Sequence, residues 1–323
     1  MKAIVFDAPG GAEVLKVKEV KQPEPGENEV LVKVHAIGVN PVETYIRASM
    51  FGPVPTPHIL GSDCAGEVEG VGENVKRFKK GDRVWTCHLT NNGAGTYAEF
   101  VSVPEENVYQ LPDNTSYKHG AALGIPFLTA AQALFQLSNS KPGETVLIHG
   151  ASGGVGLPAV MFAKNHGMKV IGTASTEDGI QLVKEAGAHH VFNHRSKDYV
   201  DQIKEVTGGN GPNVIIEMLA NSNLQKDMDM IATLGRIVII GNRGKCEVDA
   251  SPVMTKMLQI RGVLLFIVPK EEMNENAARI STGLEMGWLK ASVGKEYTME
   301  QAAEAHREQI EGKAKGKIII NVR

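Results

Sequence analysis

The stretch TVLIHGASGGVGLPA, from Thr145 to Ala159, decides the fold of this 323-residue chain. A short β-prone run, Val146 to Ile148, is followed by four closely spaced glycines, and apolar residues then return at helical spacing. This order predicts a strand, a tight turn and a helix. Gly153 would let a backbone approach a pyrophosphate, and Gly156 would let the helix pack closely on the strand. Ala151 stands where a dinucleotide fingerprint usually has its first glycine, so the pattern alone is weak evidence and its context decides.

That context is a regular alternation of strands and helices downstream of the turn. The predicted strands are Lys169–Ala174, His190–Phe192, Val214–Glu217 and Arg236–Ile240, and the predicted helices are Asp178–Ala186, Tyr199–Val206 and Leu224–Thr233. This alternation indicates a doubly wound parallel sheet and favours a nucleotide site at the turn. Another strand is predicted at Gly262–Val268. Its sequence, GVLLFIV, is apolar throughout, so we expect it to be buried on both faces or paired with another subunit.

The N-terminal part of the chain carries a different pattern. Between Met1 and Leu111, short alternating runs such as Glu29–Val39 are separated by glycine and proline turns, which predicts a compact, mostly antiparallel β domain. Asn40–Arg47 is predicted to be a loop, and its density of polar and aromatic side chains makes it a candidate site.

Helical spacing then marks a domain boundary and returns in the tail. It runs from Tyr117 to Leu137 and is expected to break at Pro126. The tail is predicted to form helices at Glu275–Met286 and Met299–Glu311 and a strand at Lys317–Val322. Because that strand has no predicted neighbour in the tail, we expect it to pair within the first domain.

Composition excludes several classes of protein. Charged residues make up 22% of the chain and the net charge is −3, so nothing points to a nucleic acid or a membrane as the main partner. Cys64, Cys87 and Cys246 are too scattered for a disulfide framework or a paired-cysteine metal site. With no apolar N-terminal run, we expect a soluble, unexported, cytoplasmic protein.

The end of the second strand of the predicted sheet bears on the choice of nucleotide. An acidic residue there would bind the ribose 2′-hydroxyl of NAD, but the sequence is Thr173-Ala174-Ser175-Thr176, which favours NADPH. Glu177 and Asp178 follow closely and weaken this preference, although both fit the first turn of a helix. His194-Arg195 and Arg243, at the ends of later strands, could supply cationic hydrogen bonds to phosphate.

Several long stretches resemble the zinc-free quinone oxidoreductases of the medium-chain dehydrogenase/reductase superfamily, the zeta-crystallin group. They are HAIGVNPVETYIR from His35, GASGGVGL from Gly150, VFNHR from Val191, IIEMLAN from Ile215 and MGWLK from Met286. The resemblance implies an α/β protein with a Rossmann domain, residues 123–266, that binds NADPH. It also implies a mostly antiparallel GroES-like catalytic domain, residues 1–122 and 267–323.

The resemblance also implies which residues form the site. Positions that hold Cys, His and Cys zinc ligands in the alcohol dehydrogenases of the superfamily hold Asn40, Ser62 and Ile125 here, so we expect no bound metal. Asn40, Tyr45 and Thr129 would line the nicotinamide and quinone pocket by positioning and hydrogen bonding, since no acid/base pair is evident. The NADPH contacts implied by position are Tyr45, Ser152, Gly153, Gly154, Val155, Ser175, His194, Asn223, Ile240, Gly241, Asn242 and Arg243.

Without a metal, the acceptor must take reducing equivalents unaided. The resemblance therefore implies NADPH-dependent reduction of small-molecule quinones, ortho-quinones above all, with one-electron transfer to a semiquinone as an open outcome. Reduction of the double bond of alkenals or enones is the alternative within enzymes. A structural role in the lens or weak binding of AU-rich RNA is the alternative outside them. The resemblance further implies a homo-oligomer, a tetramer built from two dimers.

Overall fold

The computed structural model describes residues 1–90, 92–311 and 316–323. These fall into two compact units: a first unit of Met1–Ile125 with Ile280–Arg323, and a second unit of Pro126–Arg279. The division implied by the sequence lay at 122/123 and 266/267, and the roles assigned to its two domains remain predictions. None of the helices in the described ranges combines the length and apolar character that crossing a bilayer requires.

The described ranges contain sixteen strands. They are β1 Lys2–Phe6, β2 Lys16–Glu19, β3 Glu29–Gly38, β4 His58–Ile59, β5 Asp63–Val71, β6 Arg83–Cys87, β7 Phe100–Pro104, β8 Val108–Gln110, β9 Thr145–Ile148, β10 Lys169–Ala174, β11 His190–Asn193, β12 Val214–Glu217, β13 Arg236–Ile239, β14 Gln259–Gly262, β15 Val293–Thr298 and β16 Lys317–Asn321.

The same ranges contain ten α-helices, a π-helical segment and several short 3-10 turns. The helices are α1 Pro41–Arg47, α2 Tyr117–Ala121, α3 Gly124–Ala131, α4 Gly156–Asn165, α5 Glu177–Glu185, α6 Tyr199–Val206, α7 Ala220–Met230, α8 Ser251–Thr255, α9 Lys270–Glu285 and α10 Ala302–Glu311. The π-helical segment, Gln132–Leu137, continues directly from α3.

The first unit is built on a seven-stranded sheet in the order β15-β16-β3-β5-β6-β8, with β7 also paired to β3, and on a smaller sheet β2-β1-β4. The pairs of both sheets are antiparallel except β15 with β16. Strand β3 lies at the centre because its alternating sequence buries Val30, Val32, Val34 and Ile37 in the core of the unit. The predicted antiparallel β domain is confirmed.

The second unit is a six-stranded parallel sheet in the order β11-β10-β9-β12-β13-β14. The strand that precedes the glycine turn, β9, lies inside the sheet, and its residues Val146, Leu147 and Ile148 are fully buried. A buried parallel strand needs apolar side chains on both faces, which explains this short continuous run. The predicted doubly wound fold is confirmed.

The N-terminal part departs from prediction between Asn40 and Arg47, which is a helix, not a loop. Asn40 caps α1, Pro41 takes its first position, and the Glu43 carboxylate accepts the Asn40 backbone N–H at 2.7 Å, forming a capping box. The helical run from Tyr117 is interrupted close to Pro126, as expected: α2 ends at Ala121 and α3 begins at Gly124. Pro126 lies in the first turn of α3, where its missing N–H has no carbonyl to bond.

In the C-terminal part, one strand prediction was wrong and one was right but incomplete. Gly262 to Val268 is not a buried strand: β14 ends at Gly262, a 3-10 turn follows, and Leu264 and Ile267 are 54% and 77% exposed. The last strand pairs with β3 of the first unit as expected. It also pairs with β15, a neighbour within the tail that the polar sequence of Val293–Thr298 concealed.

Candidate active site

The glycine turn of the second unit presents bare backbone at the start of α4. Ala151 N–H donates to Thr173 O at 2.8 Å, which ties the turn to the neighbouring strand β10. A Cβ at Gly156 would lie 2.6 Å from Ala151 Cα, so only glycine allows this close packing of helix and strand. Gly153 and Gly154 are exposed, and a Cβ at Gly154 would meet nothing nearer than Pro126 Cγ at 4.0 Å. The backbone at Gly154 is therefore open, as close approach of a pyrophosphate would require.

Ser175 and His194 lie side by side at the carboxyl edge of the same sheet. Ala174 and Asn193 are paired between β10 and β11, and His194 N–H donates to Ala174 O at 3.2 Å. Partial loss of water around the His194 ring, helped by the nearby positive groups His149 and Arg195, lowers its pKa. A bound phosphate would favour the charged imidazolium and counteract this shift.

Ser152 and the first turn of α5 lie against the same region. Thr176 caps α5 by accepting Gly179 N–H at 3.1 Å, and a Cβ at Gly179 would lie 3.2 Å from Ser152 Oγ. Glu177 and Asp178 occupy the first turn of α5, where acidic residues complement the positive end of the helix.

The ends of β12 and β13 form the next part of this edge. Ala220 N–H donates to Gly241 O at 3.0 Å, and Arg243 N–H donates to Asn221 Oδ1 at 3.0 Å. Asn223 Nδ2 donates to Glu217 Oε1 at 3.1 Å. Most of the predicted cofactor contacts of this unit therefore come together at the carboxyl ends of its parallel strands, where such sheets bind ligands. Those residues are Ser152, Gly153, Gly154, Val155, Ser175, His194, Asn223, Ile240, Gly241, Asn242 and Arg243.

Thr129 is the remaining candidate in the second unit. It lies on α3 and is buried.

In the first unit, Asn40 sits at the centre of a buried polar cluster. Its side-chain Nδ2 donates to Glu43 Oε1 at 3.1 Å and to Asp63 Oδ2 at 2.9 Å, and its Oδ1 accepts a hydrogen bond from Lys317 Nζ. Lys317 Nζ also lies 3.0 Å from Asp63 Oδ2, although both side chains are nearly inaccessible to water. An ammonium group therefore contacts one of the positions that match zinc ligands.

The other two matching positions do not offer metal ligands. Ile125 has no ligating atom, and its backbone N–H donates to Asp63 Oδ1 at 2.9 Å. Ser62 donates its backbone N–H to Glu43 Oε1 at 3.1 Å. A divalent cation at this place would have too few ligands and would face the positive charge of Lys317, so these residues do not fit a catalytic zinc ion.

Glu43 joins this cluster to a second chain of hydrogen bonds. Arg47 Nη1 donates to His306 Nδ1 at 2.9 Å, so the other ring nitrogen of His306 carries the proton and donates to the Tyr97 hydroxyl at 3.0 Å. Burial raises the pKa of Glu43 to about 7, although the Lys317 ammonium and the Asn40 donors counteract it. Burial and the Arg47 charge lower the pKa of His306 to about 3.

Tyr45 projects from α1 and is half-buried, with its ring packed edge-on against Phe51 at 6.0 Å between centroids. Asn40 and Tyr45 thus belong to one cap and helix, as the sequence interpretation grouped them. Sequence reasoning missed Glu43, Asp63 and Lys317. The capping-box spacing of Asn40 and Glu43 could have revealed the first of these.

Comparisons with known proteins agree with this architecture. Residues 26–113 match the family described as "Alcohol dehydrogenase GroES-like domain", and residues 154–282 match "Zinc-binding dehydrogenase". The quinone oxidoreductase of Homo sapiens is 47% identical over 323 residues, covering 99% of this chain and 97% of that protein. Quinone oxidoreductase 1 of Escherichia coli (strain K12) is 33% identical, with 96% of each chain covered.

Solved structures are similar over the whole length. The Escherichia coli quinone oxidoreductase complexed with NADPH has a TM-score of 0.90 and 31% identity, with 100% of both chains covered. A structure described as an NAD-dependent alcohol dehydrogenase has a TM-score of 0.94 and 32% identity, also with 100% of both chains covered. The full-length identity to the human and bacterial quinone oxidoreductases establishes that the chain belongs to the zinc-free quinone oxidoreductase family of the medium-chain dehydrogenase/reductase superfamily.

Proposed function

We propose that this chain is an NADPH-dependent quinone oxidoreductase that reduces quinones, ortho-quinones above all, without a metal ion. The observation that carries the proposal is the contact of the Lys317 ammonium with Asn40 and Asp63. This contact places a cation at Asn40, one of the positions that match the zinc ligands of alcohol dehydrogenases. Such a site offers no Lewis acid to polarise an alcohol or a simple carbonyl, so it suits an acceptor that is already electron-poor. The name of the human relative and the NADPH complex of the bacterial relative support the same assignment.

The carboxyl edge of the second unit would hold the cofactor. Backbone N–H groups from Ser152 to Val155 would bind the pyrophosphate, and Ser175 with His194 would bind the 2′-phosphate. Asn223 and the segment Ile240–Arg243 would line the remainder of this edge. When bound, NADPH supplies the reducing equivalents of the reaction.

The remaining residues would hold the substrate. The Asn40 amide is committed to Glu43, Asp63 and Lys317, so it acts as a positioning residue that fixes the start of the helix carrying Tyr45. Within the first unit, Tyr45 would offer its ring to the substrate, and within the second unit, Thr129 would offer its hydroxyl group. No proton transfer is assigned to these side chains, because quinone oxygens can take protons from solvent after reduction.

Steady-state kinetics test the proposal. With NADPH, kcat/KM for 9,10-phenanthrenequinone should exceed that for an α,β-unsaturated aldehyde, and treatment with a chelator should leave the rate unchanged. Reduction of cytochrome c in the same assay would measure the share of electrons that is transferred in one-electron steps. Preference for the aldehyde would replace the proposal with an alkenal reductase. Stoichiometric zinc required for turnover, or a wide preference for NADH, would overturn it.

We also propose that the chain is a cytoplasmic homo-oligomer, a tetramer built from dimers. All four residues of β14 are exposed at the edge of the parallel sheet, and the apolar side chains of Leu264, Phe266 and Ile267 beside it are 54%, 37% and 77% exposed. Pairing of this edge with a second copy would satisfy its backbone groups and cover this surface. Light scattering of the purified protein, with Ile267→Lys as the disrupting variant, tests the assembly, and a monomeric wild type would contradict it.

A further inference from the structure

Three ionisable side chains are enclosed beneath the glycine turn of the second unit. His149 directly follows β9, Glu217 ends β12 and Asp227 lies on α7, and all three are buried, with exposed fractions of 3%, 0% and 0%. His149 Nε2 lies 2.9 Å from Asp227 Oδ1 and 3.6 Å from Glu217 Oε2. The proposed reaction uses none of these groups, yet burying unneutralised charges is costly, so their arrangement calls for a role.

The imidazole of His149 links the two acids to the glycine turn. Its Nε2 donates to Asp227, and its Nδ1 lies 3.3 Å from Thr173 Oγ1, which in turn accepts the Gly150 N–H at 3.2 Å. Burial by itself lowers the pKa of His149, but the charges of Asp227 and Glu217 outweigh it and the net pKa is raised. The ring donates from Nε2 to Asp227, and its Nδ1 shares a hydrogen bond with the Thr173 hydroxyl.

Glu217 is held differently at its two oxygens. Its Oε1 accepts from Leu219 N–H and from Asn223 Nδ2, the latter at 3.1 Å. Its Oε2, like Asp227 Oδ2, is buried and has no hydrogen-bond partner among the described residues. Burial foremost, with the charge of Asp227, raises the pKa of Glu217 to about 7 against the opposing effect of His149. One proton on Glu217, directed at Asp227, would satisfy both oxygens and remove one of the two buried negative charges.

Charged and titratable groups around the cluster are few. Tyr199 on α6 faces the two acids, and the burial and negative charge around it raise its pKa. The charge of Lys226 on α7 lowers the pKa of His149. The charge of His149 in turn lowers the pKa of His194, which follows β11. Because His194 is itself a proposed phosphate contact, an experiment on the cluster must separate its titration from that of Glu217.

We propose that His149, Asp227 and Glu217 form a proton-holding positioning cluster that fixes the Gly150 turn and the Leu219–Asn223 turn in the geometry that binds NADPH. On one side, His149 contacts Thr173, which accepts the Gly150 N–H. On the other side, Glu217 Oε1 accepts hydrogen bonds from Leu219 and Asn223. Loss of its shared proton places two buried carboxylates against each other, and the turns must move apart to relieve the repulsion. Cofactor affinity therefore falls as pH rises above neutrality. This inference rests on the proposed NADPH site.

Glu217→Gln tests the cluster, because the amide reproduces the protonated acid. Its oxygen can still accept from Leu219 and Asn223, while its NH₂ group donates to Asp227 but cannot ionise. For wild type, the NADPH dissociation constant measured by fluorescence without turnover should rise about 10- to 30-fold from pH 6 to pH 8.5, following the fraction of the binding-competent state. For Glu217→Gln it should stay nearly constant. Repeating the titration with NADH, which lacks the 2′-phosphate, removes the contribution of His194.

Asp229→Asn, an exposed change on the same helix, serves as the matched control and should keep the wild-type pH profile. Equal pH profiles for wild type and Glu217→Gln would overturn the proposal, as would a stoichiometric metal ion lost on this substitution, since the three ligand atoms lie within 4.8 Å of one another. Failure of wild type to bind NADPH at pH 6 would instead overturn the proposed function. Thermal unfolding would still test the cluster, because wild type should lose more stability than Glu217→Gln from pH 6 to pH 8.5, while the loss that comes from the raised pKa of Glu43 is the same in both.

Discussion

Tyr97 donates its hydroxyl proton to Glu43 Oε2 at 2.8 Å, deep inside the first unit, where both side chains are fully buried. The remaining partners of this carboxylate are also donors: the backbone and side-chain nitrogens of Asn40, and the backbone N–H of Ser62. Each Glu43 oxygen thus accepts two hydrogen bonds, and none of these bonds requires a proton on the acid. The cap of α1, the Asn40 amide and the C-terminal helix α10 are held together by this one group.

Glu43→Gln should therefore destabilise the protein although the shape of the side chain is kept. An amide nitrogen would have to face donors where the carboxylate accepts them, which leaves buried groups without a partner and costs about 1–3 kcal/mol. Chemical denaturation at pH 7.5 measures the loss. Tyr97→Phe is the comparison: it removes one of the four donors and also the acceptor of His306 Nε2–H, so it should destabilise the protein as well. Equal stability of Glu43→Gln and wild type would contradict the assignment of four donors.

His306→Gln should remove a sensitivity to acid. The pKa of His306 is lowered to about 3 in the folded state, whereas the unfolded chain binds this proton near pH 6.5. Because protonation then favours the unfolded chain, the free energy of unfolding falls as pH falls from 6.5 towards 3. Between pH 6.5 and 4.5 the loss is about 2–3 kcal/mol. The raised pKa of Glu43 acts in the opposite direction over this window, since its stabilising proton is lost as pH rises.

Comparison of His306→Gln with wild type isolates the effect of protonating His306. In His306→Gln, the amide oxygen can accept from Arg47 and the amide nitrogen can donate to Tyr97, so the hydrogen bonds persist without a titrating group. Relative to wild type, the variant should gain stability on going from pH 7 to pH 4.5. His190→Gln, a change at an exposed histidine, should follow the wild-type profile. A parallel acid profile for His306→Gln and wild type would show that His306 does not govern this window.

Gly156→Ala and Gly154→Ala should separate folding from cofactor binding. A Cβ at Gly156 would lie 2.6 Å from Ala151 Cα, so α4 must shift on β9 and both thermal stability and NADPH affinity should fall. A Cβ at Gly154 meets nothing within 3.9 Å in the second unit, but it would fill the space proposed for the pyrophosphate. Gly154→Ala should therefore unfold near the wild-type temperature and bind NADPH at least about tenfold more weakly. Full NADPH affinity of Gly154→Ala would contradict the proposed pyrophosphate position.

The sequence predicted best where local pattern alone determines structure. Strands β10 and β12 and helix α6 have the bounds that were predicted, because each is a short periodic run between clear turn residues. The strand predicted at Gly262–Val268 was wrong because apolar content without periodicity does not distinguish a buried strand from an exposed edge. Lys317 was missed for another reason. Its partners Asn40 and Asp63 lie 277 and 254 positions away, and only the pairing of β3 with both β16 and β5 brings them together.

Lys317→Met should be strongly destabilising. The change leaves the Asp63 carboxylate buried without its cation, a loss that costs about 3–5 kcal/mol in buried pairs. Lys295→Met removes a lysine that pairs with Glu308 at 2.8 Å but is 60% exposed, so it should cost far less. The two free energies of unfolding, measured at the same pH, give the comparison. Similar losses for both variants would show that the buried lysine does not neutralise the cluster.

Ser175→Asp should reverse the preference for the phosphorylated cofactor. Ser175 is half-buried directly after β10, and the backbone N–H of His194, which directly follows β11, donates to Ala174 O. A carboxylate at this place would repel a 2′-phosphate but could accept the hydrogen bond of a ribose 2′-hydroxyl. The dissociation constant of NADPH should rise about 10- to 100-fold, while that of NADH should stay constant or fall.

Thr233→Asp provides the matched control for this change. It adds the same charge at an exposed residue that precedes β13, at the opposite edge of the parallel sheet, and should leave both dissociation constants unchanged. The ratio of NADPH to NADH affinity is the decisive quantity, because a general disturbance of the fold would weaken both cofactors together. An unchanged ratio in Ser175→Asp would place the 2′-phosphate away from the end of β10, and the choice of cofactor would then depend on the cations that follow β11 and β13.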